Sequence, residues 1–378
     1  MKIIILGAGL VGRAMALDLV AEPEFEVTSA DLNEKRLKEL DRTGIKTIKK
    51  DLSSAKNIKE IIGKQDLVIN ALPGFLGFQS LKASLETGKN VIDIAFFPED
   101  PFELESLAKK NGVTAIIDCG VAPGLSHMLA GYGFSRLDRA LSLLIYVGGL
   151  PAIRQWPFEY KAVFSPLDVI EEYVRPVRLK ENGRLIIKPA LSESEYLDFP
   201  GLGTLEAFNT DGLRTLLHTL DFQEMKEKTL RYPGHREKML MLREAGFFES
   251  QPIEISGQKI RPLDFTARVL FSKLKLNPGE EDLTIMRVIV SGDKNGKKTN
   301  LIFNLLDRYD PETGIHSMAR TTGYTATQVV RAFSQGLIKR KGVVAPEFLG
   351  MDINVFSFIR KGLENKKIII EEKIEEAA

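Results

Sequence analysis

Six residues, Gly7-Ala8-Gly9-Leu10-Val11-Gly12, follow directly on the apolar run Lys2-Ile3-Ile4-Ile5-Leu6 and open a helical pattern from Arg13 to Val20. A strand that ends in glycines and turns straight into a helix restricts the fold more than any other feature of this chain. The apolar run suits a strand buried on both faces of a parallel sheet. Gly7 permits the tight turn, Gly9 has no Cβ to hold off a pyrophosphate, and Gly12 lets the helix pack on the strand. The helix N-terminus offers free N–H groups to the phosphates, and Leu10 and Val11 of the glycine loop are candidate cofactor contacts with it. A second strand, Phe25 to Ala30, ends at Asp31, nineteen residues after Gly12. A carboxylate there accepts hydrogen bonds from the hydroxyls of an adenosine ribose. It would also repel a 2′-phosphate, so NAD is expected over NADP, although Lys35 and Arg36 lie close enough to blunt that preference.

The βα alternation continues. A short strand precedes Asp51 and Leu52, LVIN runs into Ala71-Leu72-Pro73, NVID brings Asp93 and then Ala95, and TAIID reaches Asp118 and Cys119. Ligands of open α/β sheets lie beyond the carboxyl ends of the strands. Asp51, Leu52, Ala71, Leu72, Pro73, Asp93 and Ala95 are therefore candidate walls of the cofactor site, along with the glycine loop and Asp31.

After Gly124 the alternation stops. Strand-like segments recur at Ala140 to Val147, Arg184 to Lys188, Leu205 to Asn209, Thr229 to Tyr232, Thr284 to Gly292 and Thr299 to Tyr309. Asp293-Lys294-Asn295-Gly296 between the last two has hairpin-turn chemistry. Helical patterns cover His235 to Gly246, Leu263 to Leu274 and Thr325 to Ile338. Strands and helices without βαβ order predict an α+β domain with a mixed sheet. The expected organisation is an α/β Rossmann domain over 1–125 and a second domain over 126–321, with 322–378 packing back on the first.

Composition narrows the function. The chain has 378 residues, 44% hydrophobic and 27% charged, enough for two cored domains. Its 52 basic and 51 acidic residues leave a net charge of +1, which calls for no nucleic-acid or acidic-membrane partner. No apolar run is long enough to span a bilayer, and no signal-peptide pattern follows the apolar start. A cytoplasmic protein is expected. The single cysteine, Cys119, closes no intrachain disulfide, and the four histidines show no metal-ligand spacing, so no metal is expected.

Several segments resemble the saccharopine dehydrogenase family. They are GAGLVG, DCGVAPGLSHML (Asp118 to Leu129), YVGGLP (Tyr146 to Pro151), PFEYKAVFSPLDVIEEY (Pro157 to Tyr173), EAFNTDGLRTLL (Glu206 to Leu217), EKTLRYPGH (Glu227 to His235) and MARTTGYTATQVVRAFSQGLIKRKGVVAPE (Met318 to Glu347). The resemblance implies a Rossmann domain, an α+β catalytic and dimerisation domain, and hence a homodimer. Three positions depart from the family's saccharopine reductases. Phe96 stands where they carry tyrosine, Ala122 replaces the aspartate of G-x-D-P-G, and Val147 stands in place of a cysteine before GGLP. Loss of these polar groups suits a smaller amine than saccharopine.

The chemistry so implied is NAD-dependent oxidation of the ε-amine of L-lysine, giving 2-aminoadipate 6-semialdehyde and ammonia. The alternatives are a saccharopine- or carboxynorspermidine-type reductase, or an NAD-binding regulatory protein without turnover. Free lysine amines titrate near ~10.4, so an alkaline optimum is expected. The substrate carboxylate needs a cation, for which Arg214 and Arg231 have the bidentate geometry, a structural ion pair being the alternative for each. His235, Asp211, Tyr160 and Thr322 are further candidate substrate contacts. For proton transfer the candidates are Lys161, Asp93 and Asp118.

Overall fold

The computed structural model describes residues 1–162, 166–277 and 279–376, with 166–168 described in backbone only. Val163, Phe164 and Ser165 of the PFEYKAVFS segment lie outside the described residues. The chain divides into two units, Met1–Ser135 with Ala319–Ile369, and Arg136–Met318 with Ile370 to the end.

In the first unit the strands are β1 (Lys2–Leu6), β2 (Glu26–Asp31), β3 (Lys46–Lys49), β4 (Leu67–Asn70), β5 (Asn90–Asp93) and β6 (Thr114–Ile116). A late strand, Gly342–Val344, joins β6, and the sheet runs late strand-β6-β5-β4-β1-β2-β3, with every pair parallel. Such a sheet needs cover on both faces, which explains why Ile3, Ile4, Ile5 and Leu6 are all fully buried. This is the Rossmann-like α/β architecture expected from the sequence. Crossover helices include Leu10–Val20 after β1 and Gly74–Glu86 after β4.

The C-terminal part of this unit is tied to the Leu10–Val20 helix by one buried carboxylate. Asp18 accepts from Thr327 Oγ1 at 2.5 Å and Arg331 Nη1 at 2.8 Å, and pairs with Lys366 Nζ at 2.5 Å. Burial alone would raise its pKa, but Arg331, Lys366 and Thr327 outweigh that and hold it below the ordinary range.

In the second unit the long strands are β7 (Arg139–Pro151), β8 (Val177–Glu181), β9 (Arg184–Lys188), β10 (Glu195–Phe199), β11 (Gly203–Asn209) and β12 (Glu224–Arg231). A two-stranded ribbon, β13 (Ile253–Ile255) with β14 (Gln258–Ile260), is followed by β15 (Asp282–Lys294) and β16 (Lys297–Arg308). The late strand of the first unit is β17, and β18 (Ile370–Glu376) closes the series. The main sheet runs β10-β11-β12-β7-β15-β16-β18, with β8 joining β12 and β9. Only β12–β7 is parallel among these pairs, which makes the sheet mixed, as the broken alternation predicts. Asn295 and Gly296 turn the β15–β16 hairpin, expected from the sequence, with positive φ of 50° and 77°, the signature of a primed turn.

Two expectations change. Residues 370–376 pair with β16 of the second unit, so the segment beyond 322 does not belong wholly to the first. The helix expected over Thr325 to Ile338 spans Ser317–Ser334, which puts Thr321 and Thr322 inside it. Its start is fixed by a residue far away in sequence. Asp282 Oδ1 and Oδ2 accept from the N–H groups of Ser317 and Met318 at 2.7 and 3.0 Å, filling the capping role.

Candidate active site

At the end of β1 the glycine loop is shaped by close backbone approaches. Gly7 has φ 106°, and a Cβ there would lie 2.6 Å from the Ala71 carbonyl oxygen. A Cβ on Gly12 would come within 2.0 Å of the Gly7 carbonyl oxygen, so the helix packs on the strand only with glycine. Around Gly9 the space a Cβ would fill is open, with nothing within 4 Å. Gly9 is also the N-cap of the Leu10–Val20 helix, and no side chain caps it. Open space beside uncapped N–H groups fits a dinucleotide pyrophosphate.

The Asp31 carboxylate serves the same loop. Its Oδ2 accepts from the Ala8 N–H and its Oδ1 from the Asn33 N–H, both at 2.7 Å, with the Arg36 guanidinium 4.0 Å away. Each carboxylate oxygen keeps a further lone pair for a ribose hydroxyl.

The other expected cofactor residues divide by exposure. Gly9, Leu10, Val11, Asp31, Asp51, Ala71 and Pro73 are at least partly open, whereas Leu52, Leu72, Asp93 and Ala95 are buried. Asp51 makes an Asx turn with Ser53, whose N–H and hydroxyl hold its carboxyl below the usual range. Asp93 is fully buried. Its Oδ2 accepts from Asn70 Nδ2 at 2.9 Å and its Oδ1 from the Ala95 N–H at 2.7 Å, which makes it a core acceptor rather than the proton carrier or cofactor wall expected. Asp118 is buried with φ 50°, next to Cys119, whose thiol is pushed far up by burial and by Asp93 and Asp118. Thr322 packs beside Gly120, its methyl 3.2 Å from where a Cβ on that glycine would stand.

In the second unit, alternation along β12 places Met225, Glu227, Thr229 and Arg231 on one face. Arg231, Tyr160, Tyr173 and His235 form a buried cluster there. Arg231 Nη2 pairs with Glu172 Oε2 at 2.7 Å, its Nη1 donates to the Leu230 carbonyl, and its guanidinium stacks 4.3 Å over the Tyr160 ring. His235 Nδ1 lies 2.6 Å from the Phe158 carbonyl oxygen and Nε2 lies 2.9 Å from the Tyr173 hydroxyl. Burial, helped by the nearby Arg231, lowers the His235 pKa to about 3, so the ring is neutral. A carbonyl can only accept, so Nδ1 carries the proton and Nε2 accepts from Tyr173. Both ring nitrogens are engaged, and Arg231 is answered by Glu172. The two residues hold this core rather than reach for substrate, the ion-pair alternative having prevailed at Arg231.

Asp211 is likewise occupied. Arg178 grips it through Nε at 3.1 Å and Nη2 at 2.9 Å, and the Arg178 N–H donates to Oδ1 at 3.0 Å. Arg214, three residues on, is buried with φ 47°. Lys161 Nζ donates to the Lys275 carbonyl at 3.4 Å and lies 3.7 Å from Glu280 Oε2.

Sequence reasoning missed two features. One is a groove of about 520 Å³ lined by Gln155, Trp156, Phe158, Tyr160, Lys161 and Lys273, with Trp156 81% exposed. The only forewarning is an isolated tryptophan beside proline. The other is Glu227, buried on the same strand face as Arg231, with no hydrogen-bond donor to its Oε2 among the described residues. Among the described residues no group of three or more His, Cys, Asp or Glu side chains could hold a metal ion. Among them also, no helix is long and apolar enough to cross a membrane.

Comparison with known proteins places both units. Residues 3–116 match the family model described as the saccharopine dehydrogenase NADP binding domain, and residues 120–369 match the saccharopine dehydrogenase C-terminal domain. The chain belongs to the saccharopine dehydrogenase family. It is 24% identical to a Schizosaccharomyces pombe saccharopine dehydrogenase [NADP(+), L-glutamate-forming], covering 99% of both chains. It is 24% identical to the mitochondrial alpha-aminoadipic semialdehyde synthase of Bos taurus, over 91% of this chain and 45% of that protein. The chain thus spans about half the length of the first curated relatives it matches. A solved structure of saccharopine dehydrogenase (L-Glu forming) from Saccharomyces cerevisiae has the same fold, with a TM-score of 0.81, 21% identity and 99% coverage of each chain.

Proposed function

We propose that this family member is an oxidoreductase with lysine 6-dehydrogenase activity, using NAD to oxidise the ε-amine of L-lysine to 2-aminoadipate 6-semialdehyde and ammonia. The observation that carries the oxidoreductase reading is the glycine loop, with open space at Gly9 and the Asp31 carboxylate hydrogen-bonded beside it. Support for the smaller amine comes from Phe96, Ala122 and Val147, apolar where saccharopine reductases of the family are polar.

A bound nicotinamide supplies the hydride acceptor. The rest of the chemistry falls to the chain and the substrate. The ε-amine must enter unprotonated, lose hydride from Cε and a proton from nitrogen, and leave as an imine. Water then adds to the imine carbon and ammonia departs. Gly9, Leu10 and Val11 hold the pyrophosphate, Asp31 the ribose, and Arg214 the α-carboxylate, a charge-assisted contact of roughly 1.5–3 kcal/mol. Lys161 and Asp118 are the side chains we assign to the amine proton. A homodimer in the cytoplasm, with a small amino acid as partner, belongs to the same reading.

The second reading is a saccharopine- or carboxynorspermidine-type reductase using NADP. It is favoured by the family model's description and by the named relatives. Appearance of reduced cofactor at alkaline pH decides between them, with NAD and NADP each offered lysine, saccharopine, ornithine, carboxynorspermidine and cadaverine. Turnover of lysine with NAD, but not of cadaverine, is expected. Turnover of saccharopine alone would replace the first reading by the second.

A further inference from the structure

Three carboxylates interact around one end of the second unit's sheet, and two of them are answered. Asp211 has Arg178, and Glu172 has Arg231. Among the described residues no cation pairs with Glu227 and no donor reaches its Oε2, although its side chain is buried on the central strand β12. A buried acceptor left unpaired is destabilising, and more so when it is charged. The backbone opposite is shaped to admit it. A Cβ on Gly212 would stand 1.6 Å from Glu227 Oε1, so the carboxyl occupies the place of a side chain in the turn that leads from Asp211 to Arg214.

Of the three carboxyls, Glu227 is the one with an oxygen that no described residue answers. A ligand that answers it as a carboxylate brings one positive charge and several N–H donors, as an ammonium group does. We propose that Glu227 receives the α-ammonium of the amino-acid substrate and thereby selects α-amino acids over amines that lack it. The α-amine is the appropriate one on chemical grounds. The amine that loses hydride must be unprotonated, and a carboxylate beside it would hold it as ammonium. A carboxylate is suited to the amine that does not react. This inference rests on the amino-acid substrate class of the proposed function and adds a residue to it.

Burial, with Asp211 and Glu172 nearby, raises the Glu227 pKa to about 8. Asp211 and Glu172 are the acids that act on it, and the cations paired with them are Arg178 and Arg231. At pH 7 the free protein therefore holds Glu227 largely as the acid. An arriving α-ammonium displaces that proton to solvent, so binding should release protons.

The test is calorimetric titration of the full chain with NAD present, using L-lysine, L-norleucine and 6-aminohexanoate, the last lacking only the α-amine of lysine. Wild type should bind both α-amino acids at least tenfold more tightly than 6-aminohexanoate. Across buffers of different ionisation enthalpy at pH 7, it should release protons with the first two alone. Glu227→Gln should lose at least tenfold in affinity for lysine and norleucine, together with the proton release, and bind 6-aminohexanoate as wild type does. Equal binding of lysine and 6-aminohexanoate by wild type, or no binding of any α-amino acid, overturns the inference without any variant. Unchanged lysine affinity in a folded Glu227→Gln protein also overturns it. Lysine turnover is scored separately: expected binding without turnover removes the proposed reaction and keeps Glu227, while turnover with indifferent binding does the reverse.

Discussion

The Tyr173 hydroxyl donates to His235 Nε2 across 2.9 Å inside the second unit, and the neutral imidazole is held there by burial. A histidine whose folded pKa is lowered stabilises the fold above its unfolded value and loses that contribution as pH falls. Here the window runs from about 6.5 down to about 3. The difference amounts to about 5 kcal/mol at full effect. Urea unfolding at pH 7, 5.5 and 4 should show stability falling in wild type and falling much less in His235→Gln. Equal slopes in the two proteins would count against the buried neutral ring.

Glu227 predicts the opposite slope. Its folded pKa is raised from 4.5 to about 8, so it favours the fold below the lower value and loses that favour as pH rises through the higher. The loss approaches ~5 kcal/mol above pH 8 for a carboxyl this deeply buried. Glu227→Gln should match wild type near pH 5 and exceed it at pH 9 in the absence of amino acid. Thermal unfolding across that range is the measurement.

Arg231 and Arg214 should separate under alanine substitution. Removing Arg231 takes from Glu172 its 2.7 Å ion-pair partner and unstacks Tyr160, at a cost of about 3–5 kcal/mol in stability. Arg214→Ala should instead raise KM for lysine at least tenfold while leaving the NAD affinity close to wild type. An unchanged KM in folded Arg214→Ala would remove Arg214 from the carboxylate site.

At the cofactor, Asp31→Asn keeps an acceptor for the Ala8 N–H but discards the charge that opposes a 2′-phosphate. The ratio of kcat/KM for NAD to that for NADP should fall at least tenfold, a change of about 1.4 kcal/mol. An unaltered ratio would show that Asp31 does not set cofactor preference.

Cys119 should be inert. Its thiol is fully buried and its pKa is pushed far up, so little thiolate is present. A thiol reagent should label none of the native protein and one group per chain after denaturation. Rapid labelling of the native protein would contradict the buried setting.

The first unit was legible in the sequence because its signals are local. Gly7, Gly9, Gly12 and Asp31 act through spacing along the chain, and spacing is what a sequence displays. The second unit was less so, because its polar residues are defined by partners far off in sequence. Asp211 reads as a free carboxylate until Arg178 comes up beside it, and Arg231 reads as a carboxylate binder until Glu172 does. Glu227 sits between Lys226 and Lys228, which disguises it as one more charge on a solvated face. The signal that finds it is alternation, since Met225, Glu227, Thr229 and Arg231 share a side. The start of the Ser317–Ser334 helix was hidden for the same reason, its cap being Asp282.

The seventh strand of the parallel sheet reaches its place late in the life of the chain. The Thr114 hydroxyl donates to the Arg340 carbonyl, 226 residues further on, beside the β17–β6 pairing. At ordinary rates of synthesis that interval lasts about 10–45 s. For that time a ribosome holds six strands with the outer side of β6 bare, while Arg136–Met318 of the second unit emerges. An unpaired edge of this kind invites other strands. The nascent protein therefore has a need for protection that the finished molecule no longer shows.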